Sequence, residues 1–205
     1  KMLLLFIFSI VLLPKAFTLR CYECKPQAGG TCTETEKHCS TGEDRCGSFR
    51  VINYNGNSKV SEMKKKSCAM AAHCVQGSLD FGVNRTAIVS ECCNSDLCNK
   101  QFPPDPKQSN PNGKKCYRCD GQTCTGTLNC KGDEDHCVST IGDQKVPMKG
   151  CASKQICSKT TSTLLPGATP SEINCCEGNY CNSASSTSAG ILILVTPLIS
   201  LIFLS

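Results

Sequence analysis

Hydrophobic positions gather at the two ends of the chain, and what lies between is mostly polar and punctuated by cysteine. Residues 3–13 are an apolar run of secretory-signal length, too short for a span, which takes about 20 residues. Ala16 and Thr18 are small residues two apart, so the reading is a signal peptide over 1–18 with the cut after Thr18. A buried N-terminal helix or an uncleaved anchor is the competing reading. At the other end, residues 183–190 are small or polar and residues 191–205 are apolar. A small-residue site, a polar spacer and a terminal hydrophobic stretch together read as a GPI-attachment signal. Ser183 is the expected attachment residue, with Asn182 and Ser185 as competitors and a short tail anchor as the alternative. The 191–205 tail would be removed.

Inside these ends the clearest element is a hairpin over 49–63. Phe49, Val51 and Tyr54 are strand formers, Asn55-Gly56 supplies a tight turn, and Val60 to Met63 returns. The other cysteine-bounded stretches are too short for helices, so strands are expected there too.

Composition changes the picture most through cysteine. Twenty of the 205 residues are Cys, there is no Trp, and aromatics are 5%. Cysteine at this density marks a secreted disulfide scaffold. Such domains bury too little apolar surface to stand without crosslinks. The cysteines form two sets of ten: Cys21, Cys24, Cys32, Cys39, Cys46, Cys68, Cys74, Cys92, Cys93 and Cys98, then Cys116, Cys119, Cys124, Cys130, Cys137, Cys151, Cys157, Cys175, Cys176 and Cys181. Both sets open Cys-Tyr-x-Cys. Both place six residues between the fourth and fifth cysteines, five between the sixth and seventh, and seventeen before an adjacent pair. Both end Cys-Cys-x4-Cys-Asn. This is an internal duplication. The Cys-x2-Cys pairs are not read as zinc or redox sites, because zinc needs reduced thiolates and a redox dithiol needs a βαβ context.

The ends of both sets, Cys21-Tyr22-Glu23-Cys24 with Cys92-Cys93 through Cys98-Asn99, and Cys116-Tyr117-Arg118-Cys119 with Cys175-Cys176 through Cys181-Asn182, resemble the lymphocyte-antigen-6/urokinase-receptor (LU, three-finger) family. The resemblance covers residues 19–182 and is closest to the branch of the urokinase receptor and the phospholipase A2 inhibitors. It implies an all-β, small disulfide-rich fold of two tandem three-finger domains, 19–100 and 114–182, joined by a Pro-rich linker over 101–113. It makes the 49–63 hairpin the central finger of the first domain. It also implies the pairs Cys21–Cys46, Cys24–Cys32, Cys39–Cys68, Cys74–Cys92 and Cys93–Cys98, and Cys116–Cys137, Cys119–Cys124, Cys130–Cys151, Cys157–Cys175 and Cys176–Cys181.

Candidate chemistry is sparse. Asn84-Arg85-Thr86 is an N-glycosylation sequon. Lys59, Lys64, Lys65 and Lys66 form a candidate basic contact patch, with a charged edge strand as the competing reading. Asp133-Glu134-Asp135 reads as a solvated acidic turn, since EF-hand spacing is absent. His38, His73 and His136 each lie within two residues of a cysteine, and no nucleophile–base arrangement is recognisable. Residues 19–100 hold 11 basic and 9 acidic side chains and 114–182 hold 8 and 7, a balance that argues against nucleic acid. No catalytic residue, cofactor or metal is expected. The reading is a GPI-anchored protein of the outer leaflet that binds an extracellular protein ligand or a neighbouring membrane receptor through its finger loops. The alternative is a secreted phospholipase A2 inhibitor-like protein.

Overall fold

The computed structural model describes residues 18–25, 32–106, 109–141, 147–157 and 172–183. They form eleven strands and one 3-10 turn. The first cysteine set carries β1 (Arg20–Glu23), β2 (Thr35–His38), β3 (Arg45–Asn55), β4 (Ser58–Ala69), β5 (Gly77–Asp80) and β6 (Asn84–Cys93), with the 3-10 turn at Ala71–His73. The second carries β7 (Pro111–Arg118), β8 (Gly126–Lys131), β9 (His136–Ile141), β10 (Lys149–Ala152) and β11 (Glu172–Cys176). The fold is all-β, with ten disulfides pairing all twenty cysteines.

The chain divides into two compact units whose limits differ from those of the cysteine sets. The first contains residues 18–52, 61–76 and 88–106. The second contains Asn53–Val60, Gly77–Ala87 and the described residues from 109 onward.

In the first unit β1 and β2 pair antiparallel, with Arg20 opposite His38 and Glu23 opposite Thr35. β3 runs between β6 and β4. Cys46, Ser48, Phe49, Val51 and Ile52 of this inner strand are all buried, on both of its faces. The core of the base is sulfur: Cys21, Cys39, Cys46 and Cys68 cluster, with Leu19, Cys93 and Cys98 packed against them. The pairs are Cys21–Cys46, Cys24–Cys32, Cys39–Cys68, Cys74–Cys92 and Cys93–Cys98. Residues 101–106 stay on this unit. Pro103 is fully buried, and Arg50 forms ion pairs with Asp105 and, at 3.3 Å, with Glu62.

The second unit repeats this base. Cys116, Cys130, Cys137 and Cys151 cluster with Leu128, Cys176 and Cys181 against them. The pairs are Cys116–Cys137, Cys119–Cys124, Cys130–Cys151, Cys157–Cys175 and Cys176–Cys181. β7 and β8 form one hairpin, irregular between Pro111 and Lys115. The remaining strands lie in the order β11-β9-β10-β5, all antiparallel.

The asparagine that ends each cysteine set closes the base. Asn99, 4% exposed, accepts from the Tyr22 backbone N–H at 2.9 Å and donates its amide to the carbonyls of Tyr22 (2.9 Å) and Gly47 (3.1 Å). Asn182 does the same with Tyr117 N–H, Tyr117 C=O and Val138 C=O, at 2.9, 3.0 and 2.9 Å. An Asn amide offers one acceptor and two donors. It therefore uses all three valences on backbone groups of the first and second fingers, tying one finger to the other. Just before it, Leu97 (φ 54°) and Tyr180 (φ 58°) take left-handed backbone, so that their N–H groups reach the carbonyls of Arg20 and Lys115.

Candidate functional site

With sulfur filling the base, the fingers project without a large core of their own, and the question is what they present. The central finger of the first set turns at Gly56-Asn57. Gly56 has φ +58° at the first central position, where a two-residue hairpin needs glycine. In the second unit this tip meets the next one. Gly56 N–H donates to Val83 C=O at 2.7 Å, and Thr86 Oγ1 lies 2.8 Å from Asn53 Oδ1. The joined tips leave Val60 61% and Val83 53% exposed. Scattered exposed valines need no explanation, but these two lie on tips bonded to each other. Asn84, the first residue of the sequon, is exposed beside Val83, while the Thr86 hydroxyl is engaged.

The four lysines do not form one patch. Alternation along β4 sends Lys59 and Lys65 to one face, both exposed, and Lys64 and Lys66 to the other. Lys66 is 1% exposed. Its ammonium donates to Glu34 Oε1 at 2.6 Å and to the Lys100 carbonyl, and sits 4.7 Å from the Phe102 ring centre and 5.9 Å from that of Tyr22. Lys64 reaches the same Phe102 ring at 5.8 Å and pairs with Glu62 at 3.5 Å. A buried ammonium must be paired, and two aromatic faces add cation–π attraction. Lys66 is thus a structural pin holding residues 100–102 against β4, which removes it from the expected contact patch.

The acidic turn is also divided. Asp133 and Asp135 are exposed, but Glu134 is fully buried, correcting the expectation of a solvated turn. Its Oε1 accepts from Ser78 Oγ (2.5 Å) and Arg85 Nε (3.2 Å), and its Oε2 from Lys131 N–H (2.8 Å). Sequence reasoning missed these partners, which lie 56 and 49 residues away.

A cavity of about 510 Å³ opens at the base of the first unit, lined by Thr18, Leu19, Glu43, Asp44, Asn94 and Asp96 among others. Its carboxylates are tied into the fold. Asp96 accepts from the Arg20 backbone N–H and then from its guanidinium, which together hold its carboxyl below the ordinary value. Glu43 caps the Ser40 N–H at 2.9 Å. Elsewhere the Glu23–Lys37 hydrogen bond, 3.0 Å, lowers the Glu23 carboxyl and raises the Lys37 ammonium. Asp120 is lowered by the N–H groups of Thr123 and Gln122.

The histidines serve local structure. His38 Nδ1 is 3.2 Å from Thr18 Oγ1, His73 ends the 3-10 turn, and His136 lies between Asp135 (2.7 Å) and Glu177 (3.4 Å). His38 has the Thr18 hydroxyl beside it, but among the described residues no carboxylate is seen orienting that ring, and the contacts of His73 and His136 are those of the turn and of two carboxylates. Two triads of sulfurs come within 4.8 Å, Cys21 with Cys39 and Cys68, and Cys116 with Cys130 and Cys151, but every one is in a disulfide and offers no thiolate. Among the described residues no helix is long and apolar enough to cross a membrane. Ser183 is exposed immediately after the buried Asn182, whereas Ser185 and the 191–205 tail lie outside the described residues.

The u-PAR/Ly-6 domain family matches residues 18–101, and the family of snake toxins and toxin-like proteins matches residues 115–182. The urokinase plasminogen activator surface receptor of Mus musculus is 24% identical over 176 residues, covering 75% of this chain and 54% of the receptor. Phospholipase A2 inhibitor NAI of Notechis ater is 28% identical over 155 residues, covering 67% of this chain and 77% of the inhibitor. Phospholipase A2 inhibitor CNF of Crotalus durissus terrificus is 28% identical over 143 residues, covering 61% and 70%. The chain spans about half the length of the receptors it matches. Two tandem domain matches and a disulfide-cored β base in each cysteine set show a u-PAR/Ly-6 domain over 18–101 followed by a toxin-like domain over 115–182, a tandem of three-finger type similar to the urokinase receptors and phospholipase A2 inhibitors.

Proposed function

We propose that the chain is a GPI-anchored, extracellular binding protein of the cell surface that recognises a protein ligand or a neighbouring receptor through its finger loops, without catalysis. The observation that carries this reading is the division of labour between the sulfur-filled bases and the joined tips of the second unit. Disulfides fill the base, so the tips bearing Val60 and Val83 are free of any core duty and stand exposed. The lipid anchor rests on the sequence of the C-terminal residues. Ser183 suits attachment better than Asn182, because the Asn182 amide is buried and bonded to Tyr117 and Val138 while Ser183 is exposed. Asn84 is the proposed glycosylation site, and its exposure at the tip leaves room for a glycan. Lys59, Lys64 and Lys65 are proposed as the accessible basic contacts.

The test is release by phosphatidylinositol-specific phospholipase C from cells expressing the full chain with a tag after Thr18. Transfer of the tag to the medium is expected, and a Ser183→Trp variant should reach the surface poorly. Retention of the tag on cells after treatment would overturn the anchor. A second reading is favoured by one observation: the match covers 77% of the Notechis inhibitor but 54% of the mouse receptor. On that reading the chain is a secreted phospholipase A2 inhibitor. Titration of the ectodomain into a phospholipase A2 assay separates the two, and absence of inhibition at micromolar concentration rejects the second.

A further inference from the structure

The second unit buries an unusual amount of polarity at one place. Ser78, Asp80, Glu134 and Ser153 are each at most 2% exposed. Two belong to the third finger of the first cysteine set and two to the second set. Ser153 N–H donates to Ser78 C=O at 3.0 Å, and Ser78 N–H donates to Ser153 Oγ at 2.9 Å. These bonds extend the pairing in which Asp80 faces Cys151 and Leu79 faces Ala152. Behind this edge Glu134 receives the Ser78 hydroxyl and Arg85 Nε, while Arg85 Nη2 lies 3.1 Å from Ser78 Oγ. Lys131 Nζ reaches Asp80 Oδ2 at 3.8 Å. Every buried charge in the cluster has an opposite charge or several donors, the condition for burying it at all.

The edge is shaped for this approach. A Cβ at Gly150 would overlap the Asp80 carbonyl, and one at Gly77 would come 2.7 Å from Ser153 Cβ. The duplication supplies a control. Aligned on the sixth cysteine, Gly150 corresponds to Ser67 and Ser153 to Met70. The first set therefore carries side chains where the second has a glycine and a short hydroxyl. The donor is equally one-sided. The third finger of the first set holds Gly77-Ser78-Leu79-Asp80 and Arg85, whereas residues 158–174, its counterpart, contain neither Asp nor Arg.

We infer that β10 with Glu134 is a strand-receptor site of the second cysteine set. Its ligand is an extended segment with the pattern Gly-Ser-x-Asp and an arginine five residues after the aspartate, and Gly77–Arg85 fills it in cis. β5 and Arg85 of the third finger thus form a docking strand, while the tip at Val83 beyond them stays exposed, and the finger opens and closes with the second unit. Donor and receptor occur once each and in a fixed order, so a second copy of the chain meets no vacant site.

Hydrogen exchange of the full, disulfide-intact chain tests this, comparing the wild type with Gly150→Val and with Arg85→Ala, which keeps the sequon. Exchange in residues 77–81 should accelerate about tenfold or more in either variant, the scale of one lost charge-assisted hydrogen bond. It should do so in step with residues 149–153, while residues 20–24 and 45–52 keep wild-type rates. Unchanged exchange at 77–81 in Arg85→Ala overturns the inference, and so does acceleration shared equally with 45–52. If Gly150→Val fails to be secreted, Arg85→Ala decides alone, because it adds no bulk.

Discussion

Replacing Asn99 by alanine removes a side chain that does little packing but completes three hydrogen bonds, to Tyr22 N–H, Tyr22 C=O and Gly47 C=O. The position is 4% exposed, so water does not readily replace the amide. Losing partners for three such groups at about 1 kcal/mol each costs about 3 kcal/mol. For a domain of this size that lowers the unfolding midpoint by roughly 10–20 °C. Asn99→Asp sharpens the test. Its carboxylate still accepts from Tyr22 N–H but points a second oxygen at two carbonyls, so it should be at least as damaging at neutral pH and should recover partly in acid, where the protonated acid donates. Denaturation in guanidinium with disulfides intact, followed by near-UV dichroism of the tyrosines, reads both variants, since the chain has four Tyr and no Trp. Asn182→Ala provides an independent repetition through Tyr117 and Val138. A loss below about 0.5 kcal/mol in both alanine variants would refute the argument, because it would mean the closing amides merely replace water.

Other outcomes follow from the same contacts. Lys66→Ala should destabilise by about 2 kcal/mol, through loss of the hydrogen bonds to Glu34 and the Lys100 carbonyl, whereas Lys65→Ala should stay within about 0.5 kcal/mol; thermal unfolding of the two separates pin from surface. Gly56→Ala meets no atom within 4 Å, so its cost should be the left-handed backbone alone, about 1 kcal/mol, read by chemical denaturation. Glu23, Asp96 and Asp120 have lowered carboxyls. Their contribution is complete above the ordinary carboxylate range and is lost as pH falls through it and below. Lys37 is raised, so its contribution holds below its ordinary value near 10.5 and fades only above it. Stability measured against pH should therefore be flat near neutrality and fall on the acid side, and a Glu23→Gln variant should show a shallower fall.

The parts legible in the sequence were those set by local spacing. The duplicated cysteine intervals showed the repeat, and strand formers flanking Asn55-Gly56 marked a hairpin; the family resemblance then implied the fold class and made that hairpin the central finger. That turn is centred one residue later, on Gly56-Asn57, and its strands run out to Arg45 and Ala69. Burial of both faces of β3 erases the alternation that would have revealed its length. Lys66 looked like its neighbours Lys64 and Lys65, and only Phe102 and Glu34, brought in by tertiary folding, distinguish it. Prolines gave residues 101–106 an extended path, but the anchoring of Phe102 and Asp105 depends on Lys66 and Arg50, far away in sequence. Glu134 was hidden for the same reason. A trace existed in the glycine at 150, where the aligned position of the first set holds Ser67.

The asparagine closure also orders events in time. The first finger of each cysteine set is completed by the last residue of that set, 77 positions after Tyr22 in one case and 65 after Tyr117 in the other. At about 5–20 residues per second of synthesis, the first finger waits roughly 4–15 s for its final partner. During that interval the first finger lacks the three hydrogen bonds that tie it to the second. The amide can close a set only once the whole of it has been made, so each half of the chain completes its base as a unit.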